Sequence, residues 1–573
     1  MIEQDTTKAL LATVFIGGEA VRAGCVCVLA MLLTACHFYL HDRDSIEPTY
    51  NGEQPVLSDS APTSTARVTN ISFTGDMVAG TMLTATISCQ NCPGDIFYRW
   101  YLDDELRSTS DQYLFLSADS DKTLRLEVTV TDPNGVVSTP QYALFRRQQT
   151  QTIVTNPYAF AAILTDGSVV TWGIASNGGD SSAVSSDLVN VLSITPGEGV
   201  FAALKSDGSV VTWGETSRGG DSSAVADELE NITTITANDF AFAALKNDGT
   251  VVTWGDATRG GDSSAVQAQL TNIVEITSTN FAFAARKADG TVVVWGDSLR
   301  GGDLEGQTPT NTTLISGNVG AFVAVDQSGS TTFWGLDAAG GSPVGVVPNY
   351  AAADVTSVTV NDYAFAMTKA NGDVTAYGNA SYGGDMATLA ARISNVASIV
   401  ASEFGFSALL NDGSVTSWGS VDGVAYGVSG NSSFLTPTVV DIQSIVATRD
   451  AFAAIESDQT VVTWGDAAEG GDSSAVSASL TGVQSITAAR SAFAAIKNDG
   501  SVVAWGDATR GGDASLNLTG TLADIDQLYS SLYAFAAINE NGEVVTWGLL
   551  SHADNSAVAA QLVPEVEMIE ASY

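Results

Sequence analysis

The sequence predicts an all-β protein: a small β-sandwich followed by an array of ten stacked repeats of about 41 residues. Two observations support this fold class. The motif Asp-Gly-x-Val-x-x-Trp-Gly, as in residues 248–255, recurs from about residue 150 almost to the end of the chain. Residues 66–146 instead contain short apolar runs separated by turn residues. Self-similarity at a period of about 20 to 50 residues is typical of solenoids, propellers and other stacked arrays.

The tryptophan of the motif sets the register of the repeats. Successive copies are separated by 41, 41, 41, 39, 43, 41, 46, 41 and 42 residues. The equivalent positions are Trp172, Trp213, Trp254, Trp295, Trp334, Tyr377, Trp418, Trp464, Trp505 and Trp547.

One unit shows the strands that we expect in all of them. Residues 274–277 alternate in polarity, residues 281–285 are apolar, and Asp289-Gly290 leads into the apolar run 292–295. An Asp-Gly pair between apolar runs indicates a hairpin, because both residues tolerate the positive φ of a tight primed turn. Each unit is therefore predicted to contain three strands, of which the second and third pair.

The segment after the tryptophan connects one unit to the next. Asp262 is a candidate N-cap for one or two helical turns, which would place Val266 and Leu270 on one face. Three strands and a short helix cannot bury a tryptophan alone, so neighbouring units are expected to stack.

The motif, with a glycine six residues after most of the tryptophans, resembles the repeat of the regulator of chromosome condensation family, whose members fold as β-propellers. The similarity covers roughly residues 150–573, and the short units are closer to the three-stranded blades of propeller-type β-lactamase inhibitor proteins. It implies a propeller-like domain. The family's Gly-Gln-Leu-Gly is here Gly-Gly-Asp and its histidine on the second strand is absent, so the resemblance implies no function.

Residues 66–146 are predicted to form the β-sandwich. The strand-like runs are 68–73, 83–88, 97–102, 113–116 and 124–130. They resemble the immunoglobulin-like modules of bacterial surface proteins, with Trp100 as the core residue. Cys89 and Cys92 are candidates for a local disulfide; a metal or redox role would need a second cysteine pair or a nearby histidine.

The N-terminal region carries an export signal. Residues 24–35 form an apolar run of about 12 residues, too short to cross a bilayer but suited to a signal-peptide core. The run ends in Leu33-Thr34-Ala35-Cys36, which resembles the bacterial lipobox and implies lipid attachment at Cys36. The alternative is a buried helix end.

These features give four segments. They are a signal peptide at 1–35, a flexible tether at 36–65, the sandwich at 66–146 and the repeat domain at 147–573. We therefore expect an exported protein, lipid-anchored to the cell envelope at the outer membrane or cell surface, with the lipid as its only membrane attachment.

Composition limits the possible partners and chemistry. With 23 basic and 64 acidic residues the net charge is −41, which disfavours nucleic acid because phosphates are bound by clustered Lys and Arg. The histidines are His37, His41 and His552, so the repeats cannot build a His-dependent triad or a His-rich metal site. We predict no cofactor and no metal; calcium would need a spaced Asp-x-Asp-x-Asp loop, which the sequence lacks.

Basic residues are scarce and regularly placed. Arg218, Arg259, Arg300 and Arg510 occupy one repeat position, five residues after the tryptophan, and are the ligand-binding candidates. Five lysines occupy a second position before the hairpin turn: Lys205, Lys246, Lys287, Lys369 and Lys497. Either row could instead neutralise neighbouring carboxylates.

Three functions are weighed. The first is a non-enzymatic surface lipoprotein whose repeat domain binds a protein or glycan. The alternative is an extracellular polysaccharide hydrolase with paired carboxylates in the ring opening. The third, nucleotide exchange on a small GTPase by family analogy, conflicts with export. The array could close as one ring, as two, or stay open; an additional copy of the first strand at 566–569 would seal or cap it, and we predict one closed domain.

Overall fold

The computed structural model describes residues 66–572 except 75–80, 104, 117–118, 120–121, 149, 342–352, 386–392, 422–423, 427–439 and 563–564. The signal segment, Cys36 and the tether lie outside the described residues and stay predictions. Within the described part, no helix has the length and apolar character needed to cross a bilayer.

The N-terminal part is a sandwich of two antiparallel sheets. The first sheet contains strands Arg67–Thr74, Met82–Gln90 and Gln112–Leu114. The second contains Glu105–Ser108, Ile96–Leu102, Leu124–Val130, Gln141–Gln148 and, at its edge, Glu565–Ser572. Both sheets contribute to one core around the fully buried Trp100, as predicted.

Cys89 and Cys92 lie at the end of the second strand of this sandwich. Their Cα atoms are 6.2 Å apart, a separation that a disulfide spans. The disulfide stays a prediction that this geometry allows.

The repeats form ten small antiparallel sheets, called blades 1 to 10 below, with an inner, a middle and an outer strand in chain order. Blades 1 to 5 are Thr150–Thr155, Ala159–Leu164, Val169–Gly173; Val191–Gly197, Val200–Lys205, Val210–Gly214; Ile232–Ala237, Ala241–Lys246, Val251–Gly255; Ile273–Ser278, Ala282–Lys287, Val292–Gly296; and Thr312–Gly317, Ala321–Asp326, Thr331–Gly335. Blades 6 to 10 are Val355–Val360, Ala364–Lys369, Val374–Gly378; Val396–Ala401, Gly405–Leu410, Val415–Val421; Ile442–Ala447, Ala451–Glu456, Val461–Gly465; Val483–Ala488, Ala492–Lys497, Val502–Gly506; and Ile525–Ser530, Ala534–Asn539, Val544–Gly548. Blade 7 adds a fourth strand, Val424–Tyr426.

The blades close into one ring. Each of the ten interfaces between successive blades has its own apolar core, and the cluster that joins Phe160 and Trp172 to Ala536 and Ile538 connects blade 10 back to blade 1. This arrangement confirms the propeller-like array of ten repeats. The additional strand at the C-terminus neither seals nor caps the ring, because Glu565–Ser572 pairs with Gln141–Gln148 of the sandwich.

The motif tryptophans fasten each blade to the one before it. All nine are buried, and each stacks on the middle-strand phenylalanine of its own blade with ring centroids 5.1 to 5.5 Å apart. Seven indole N–H groups donate to a glycine carbonyl of the preceding unit at 3.0 to 3.1 Å. This glycine lies six residues after the motif tryptophan or tyrosine of that unit. The glycine therefore provides an acceptor as well as a turn.

One local prediction is wrong, and a second, the helical turns after Asp262, is met in 3₁₀ form. In the hairpin at Asp289-Gly290 only Gly290 has a positive φ, +79°; Lys287 N–H donates to Thr291 O, which gives a wider loop than a two-residue primed turn. Asp289 instead accepts from the backbone N–H of Thr291. The connector after Asp262 forms turns and one short 3₁₀ segment, Gln267–Gln269, without an α-helix; Leu270 is nevertheless buried between blades, as its spacing predicted.

Other 3₁₀ segments follow the outer strands: Ala175–Asn177, Thr216–Arg218, Ala257–Arg259, Ser298–Arg300, Asp337–Ala339, Ala380–Tyr382, Ala467–Glu469 and Ala508–Arg510. They are called the post-tryptophan turns. Three more lie in connectors, Ser223–Glu228, Ser477–Ser479 and Ala559–Gln561. In blade 10 the post-tryptophan turn is replaced by a four-residue α-helix, Leu550–Ala553.

Candidate binding face

The inner strands surround the axis of the ring. Side chains on these strands bond across to the neighbouring blade: Thr195 Oγ1 to Ile235 O at 3.3 Å, and Thr236 Oγ1 to Ile276 O at 3.2 Å. Each inner strand is joined to its middle strand by a turn, called the mouth turn. Mouth turns of blades 1 to 6 line a cavity of about 660 Å³, with Arg490 and Leu532 completing its wall.

In six of the ten blades, one buried or part-buried side chain connects the mouth turn to the post-tryptophan turn. In blade 3, Asn238 Nδ2 donates to Arg259 O at 2.7 Å, while its Oδ1 accepts from the N–H groups of Phe240 and Ala241. Asn156, Asn318 and Asn361 make the same bond, and Thr279 and Thr448 make it through a hydroxyl. The two sets of turns therefore form one surface, the mouth face.

The four predicted arginines all lie on the mouth face. Each ends a post-tryptophan turn and pairs with the acid three residues earlier: Arg218 with Glu215 at 3.0 Å, Arg259 with Asp256 at 2.8 Å, and Arg300 and Arg510 with Asp297 and Asp507 at 3.5 Å. Their charges are thus partly neutralised locally. The lysine row lies at the opposite ends of the sheets, beside the hairpin turns, as in Lys205, Lys246 and Lys497.

Aromatic side chains alternate with the arginines of blades 2 to 4. The guanidinium carbon of Arg218 lies 4.7 Å and that of Arg259 4.1 Å from the Phe240 centroid; Arg259 is also 5.9 Å and Arg300 4.0 Å from the Phe281 centroid. Arg218, Phe240, Arg259, Phe281 and Arg300 are called the ladder. Cation–π contacts of this kind contribute roughly 0.5 to 1 kcal/mol each at exposed sites.

The ladder differs in exposure along its length. Arg218 is the most enclosed member, because it also donates to Glu198 at 2.6 Å and to Asp239 O at 3.1 Å. Arg259 and Arg300 retain 36% and 40% of their side-chain surface. Leu299, beside Arg300, is 74% exposed. The outer end of the ladder thus offers guanidinium donors and apolar surface to a partner.

Further aromatic groups continue around the mouth face. Tyr382 lies between Tyr363 and Phe404, with centroids 4.6 and 5.0 Å away. Arg510 sits over Tyr533, and the buried His552 contacts Tyr533 and Tyr158 at the joint between blades 10 and 1. Burial lowers the pKa of His552 below its ordinary value.

The sequence analysis did not identify these aromatic residues. Their signal is an aromatic residue 14 positions before the motif tryptophan or tyrosine, at Tyr158, Phe240, Phe281, Tyr363, Phe404 and Tyr533.

Carboxylates line the mouth itself. Burial, followed by the negative charge of Glu198, raises the pKa of Asp239 to about 6. Burial also raises the pKa values of Asp362 and Glu403, and raises that of Glu469 to about 7. Crowding of acids away from water disfavours their charged forms. Burial therefore favours the neutral forms of these carboxyl groups on the mouth face.

The hydrolase alternative would have to use these acids. Glu198 accepts from Arg218 and from the Tyr158 hydroxyl at 3.2 Å, and Glu403 accepts from Arg490 at 3.2 Å. These bonds assign both carboxylates to holding the turns together, and we propose no hydrolytic role for them. Among the described residues, no group of three or more His, Cys, Asp or Glu side chains is arranged to hold a metal ion.

Comparisons with known proteins give matches of low similarity only. No protein-family model matches the sequence, and no curated protein matches it significantly. Among solved structures, Prp20p from Saccharomyces cerevisiae is 15% identical over 42% of this chain and 73% of its own, with a TM-score of 0.27. The ectodomain of receptor kinase CR4 from Physcomitrella patens is 18% identical over 48% and 74%, with a TM-score of 0.30.

BamB from Moraxella catarrhalis is 11% identical over 64% of this chain and 96% of its own, with a TM-score of 0.26. Scores at this level do not establish function. The assignment as a β-propeller of short repeats resembling those of the regulator of chromosome condensation rests on the ten sheets and on the ring that they form.

Proposed function

We propose that this chain is a non-enzymatic, exported binding protein, lipid-anchored to the cell envelope through Cys36, and that the mouth face of its propeller binds a protein or glycan partner. The observation behind the proposal is the ladder. Arginine and aromatic side chains are the types that dominate protein-interface hot spots, which favours a protein partner. Here they are held rigid by buried Asn and Thr side chains beneath them.

Rigidity matters because ordering flexible side chains opposes binding. A long arginine side chain that is already fixed over a ring loses little further freedom when a partner docks. The anchor and tether would hold this face away from the membrane, and a net charge of −41 suits a soluble, exposed surface.

The test compares two double variants of the full chain. Arg259→Ser/Arg300→Ser removes the exposed end of the ladder, and Lys246→Ser/Lys287→Ser removes matched charges from the same two blades on the hairpin face. Arg218 is left unchanged because Glu198 and Asp239 tie it to the fold. Partners are captured from envelope extracts by crosslinking and from a glycan array.

We expect the arginine variant to bind at least about tenfold more weakly, or roughly 1.4 kcal/mol, with the lysine variant unchanged. Equal binding by the arginine variant and the parent would place the recognition surface elsewhere. A lower melting temperature with unchanged binding would mean that the arginines act only within the fold.

A further inference from the structure

Among the described residues, no strand pairs with the outer edge of Val169–Gly173, the outer strand of blade 1. Leu164 N–H donates to Ser168 O and Ile174 N–H donates to Tyr158 O, so in this antiparallel register the even-numbered residues bond to the middle strand. Val169, Thr171 and Gly173 therefore direct their backbone groups away from the sheet. Within the described part of the chain, no backbone group pairs with the outward N–H and C=O of Thr171.

A cavity of about 600 Å³ runs along this edge, bordered by all five residues of the strand. Its walls are the connectors of blades 1 and 10, which contribute Asp180, Ser185, Asp554 and Gln561. This volume lies within the range of about 300 to 1,000 Å³ for ligand sites. The Thr171 hydroxyl bonds to Gly179 and Ser181 of the blade's own connector, and the cavity lies between this connector and the connector of blade 10.

Blade 10 shows what fills the equivalent edge. Thr546 occupies the repeat position of Thr171. Its carbonyl oxygen accepts from Thr519 N–H at 3.1 Å, and its backbone N–H donates to Thr519 Oγ1 at 2.9 Å. Gly548 N–H donates to Leu516 O at 3.2 Å, and Asn517 Nδ2 donates to Gly548 O at 2.8 Å. Residues 516–519 thus lie antiparallel along the outer strand of blade 10.

Blade 7 provides a second case. Its fourth strand, Val424–Tyr426, pairs antiparallel with residues Gly419–Val421 at the end of the outer strand. This fold accommodates a fourth strand at the outside of a blade without disturbing the three inner ones.

We propose that the outer edge of blade 1 binds an extended segment of a partner protein as an added antiparallel strand, with an alternating apolar and hydrogen-bonding pattern like that of residues 516–519. Backbone hydrogen bonds would supply affinity, as in other cases of strand addition. Asp180 and Asp554 at the walls favour a basic residue beside the segment. This site is separate from the mouth face, so the proposal for it can be correct or wrong whether or not the mouth face binds a partner.

The probe is a fluorescent synthetic peptide with the sequence of residues 513–521 in which Lys replaces Asp513, titrated against the full chain by anisotropy. Saturable binding is expected. A second peptide, N-methylated at the position of Thr519, lacks the N–H that would donate to Thr171 O and should bind at least about tenfold more weakly. Because this comparison changes only the peptide, it does not depend on the folding of a variant.

Two protein variants locate the site. Ser185→Trp fills the cavity from the blade 1 connector and should abolish most of the binding. Ser477→Trp is the matched control, because Ser477 occupies the same repeat position in blade 8. Both hydroxyls donate to the carbonyl oxygen three residues earlier: Ser477 Oγ to Ser474 O, and Ser185 Oγ to Ser182 O.

The proposal is overturned by any of three results. These are no saturable binding of the parent peptide, equal binding of the N-methylated peptide, or equal effects of the two tryptophan variants. Equal effects of the two tryptophan variants are also expected if the peptide displaces residues 516–519 from blade 10 and does not bind to blade 1.

Discussion

The side-chain amide of Asn238 donates to the carbonyl oxygen of Arg259 at 2.7 Å, from a residue that is almost fully buried. The same side chain accepts two backbone N–H groups of its own turn. One residue thus fixes the height of Arg259 relative to Phe240, and with it the spacing of the ladder. The site is built by a buried polar side chain beneath a surface of arginines and aromatics.

Asn238→Ala should destabilise the protein by about 1 to 3 kcal/mol, because it leaves buried backbone groups without partners. Asn238→Thr should cost less than Asn238→Ala, since Thr279 makes the equivalent bond in blade 4 through its hydroxyl, to Arg300 O at 3.0 Å. Urea melts of the two variants measure the difference. Equal losses would show that the hydroxyl does not replace the amide in blade 3.

A second prediction concerns the tryptophans. Trp254→Ala should cost about 3 to 5 kcal/mol, as expected for removing a large aromatic side chain from a packed core. Trp254→Phe keeps much of the packing but loses the bond to Gly219 O at 3.0 Å, which adds about 1 kcal/mol. Arg259→Ala, a partly exposed change, should cost no more than about 1 kcal/mol.

Trp172 provides the matched control for that hydrogen bond. Within the part of the chain that the structure describes, its buried Nε1 has no hydrogen-bond partner, because blade 10 places the helix Leu550–Ala553 where other blades place the glycine turn. Trp172→Phe should therefore be less destabilising than Trp254→Phe by about the value of one hydrogen bond, roughly 1 kcal/mol. If denaturant melts give equal losses at the two positions, the indole bonds do not contribute to the stability of the ring.

The sequence was sufficient to predict the repeat unit, for a physical reason, whereas the closure of the ring is shown by the apolar cluster between blades 10 and 1. The recurring apolar runs and turn residues predict the strands and turns of each unit directly. Trp254 and Leu270 are both buried, as their spacing predicted. The pairing of Glu565–Ser572 with the sandwich was not predictable, because its alternation matches an inner strand and only tertiary structure decides which edge it joins.

The site was predictable only in part. The repeat position showed that Arg218, Arg259 and Arg300 lie in register. It did not show that each pairs with the carboxylate three residues earlier and lies over an aromatic side chain of a mouth turn. Those contacts depend on where the two turns of a blade meet. In blade 3 Asn238 sets where these turns meet. A small polar residue recurs at its repeat position, 16 residues before the motif tryptophan or tyrosine, but that spacing alone does not show which carbonyl the side chain bonds.

The lipid anchor gives a third prediction, on a residue outside the described part of the chain. Cys36→Ser should release the protein from membranes or block its maturation, because a lipid at this cysteine is the only membrane attachment that the sequence indicates. Membrane fractionation and palmitate labelling measure the effect. Unchanged partition in the variant, together with an unlabelled parent, would exclude the lipoprotein.

The last prediction uses the pKa of Asp239, which burial and the charge of Glu198 raise from 3.8 to about 6. Because the folded state holds this proton more tightly than the unfolded state, the carboxyl favours folding most below about pH 4. That contribution is lost as the pH rises through about 6. Asp239→Asn removes the titration, so the stability of the variant relative to the parent should increase between pH 5 and pH 8, by roughly 1.4 kcal/mol.

Asp248→Asn is the control, because hydrogen bonds from Thr250 lower the pKa of this exposed carboxylate, and it stays ionised throughout that pH window. Urea melts of the parent and both variants at pH 5, 6.5 and 8 give the three curves. If the unfolding free energies of Asp239→Asn and the parent differ by the same amount at all three pH values, Asp239 does not titrate in this range. Its carboxylate would then be stabilised at the mouth by the Arg218 guanidinium and the Asn280 amide. A difference that grows with pH, and is absent from Asp248→Asn, would instead identify the mouth as an acidic site that takes up a proton when the protein folds.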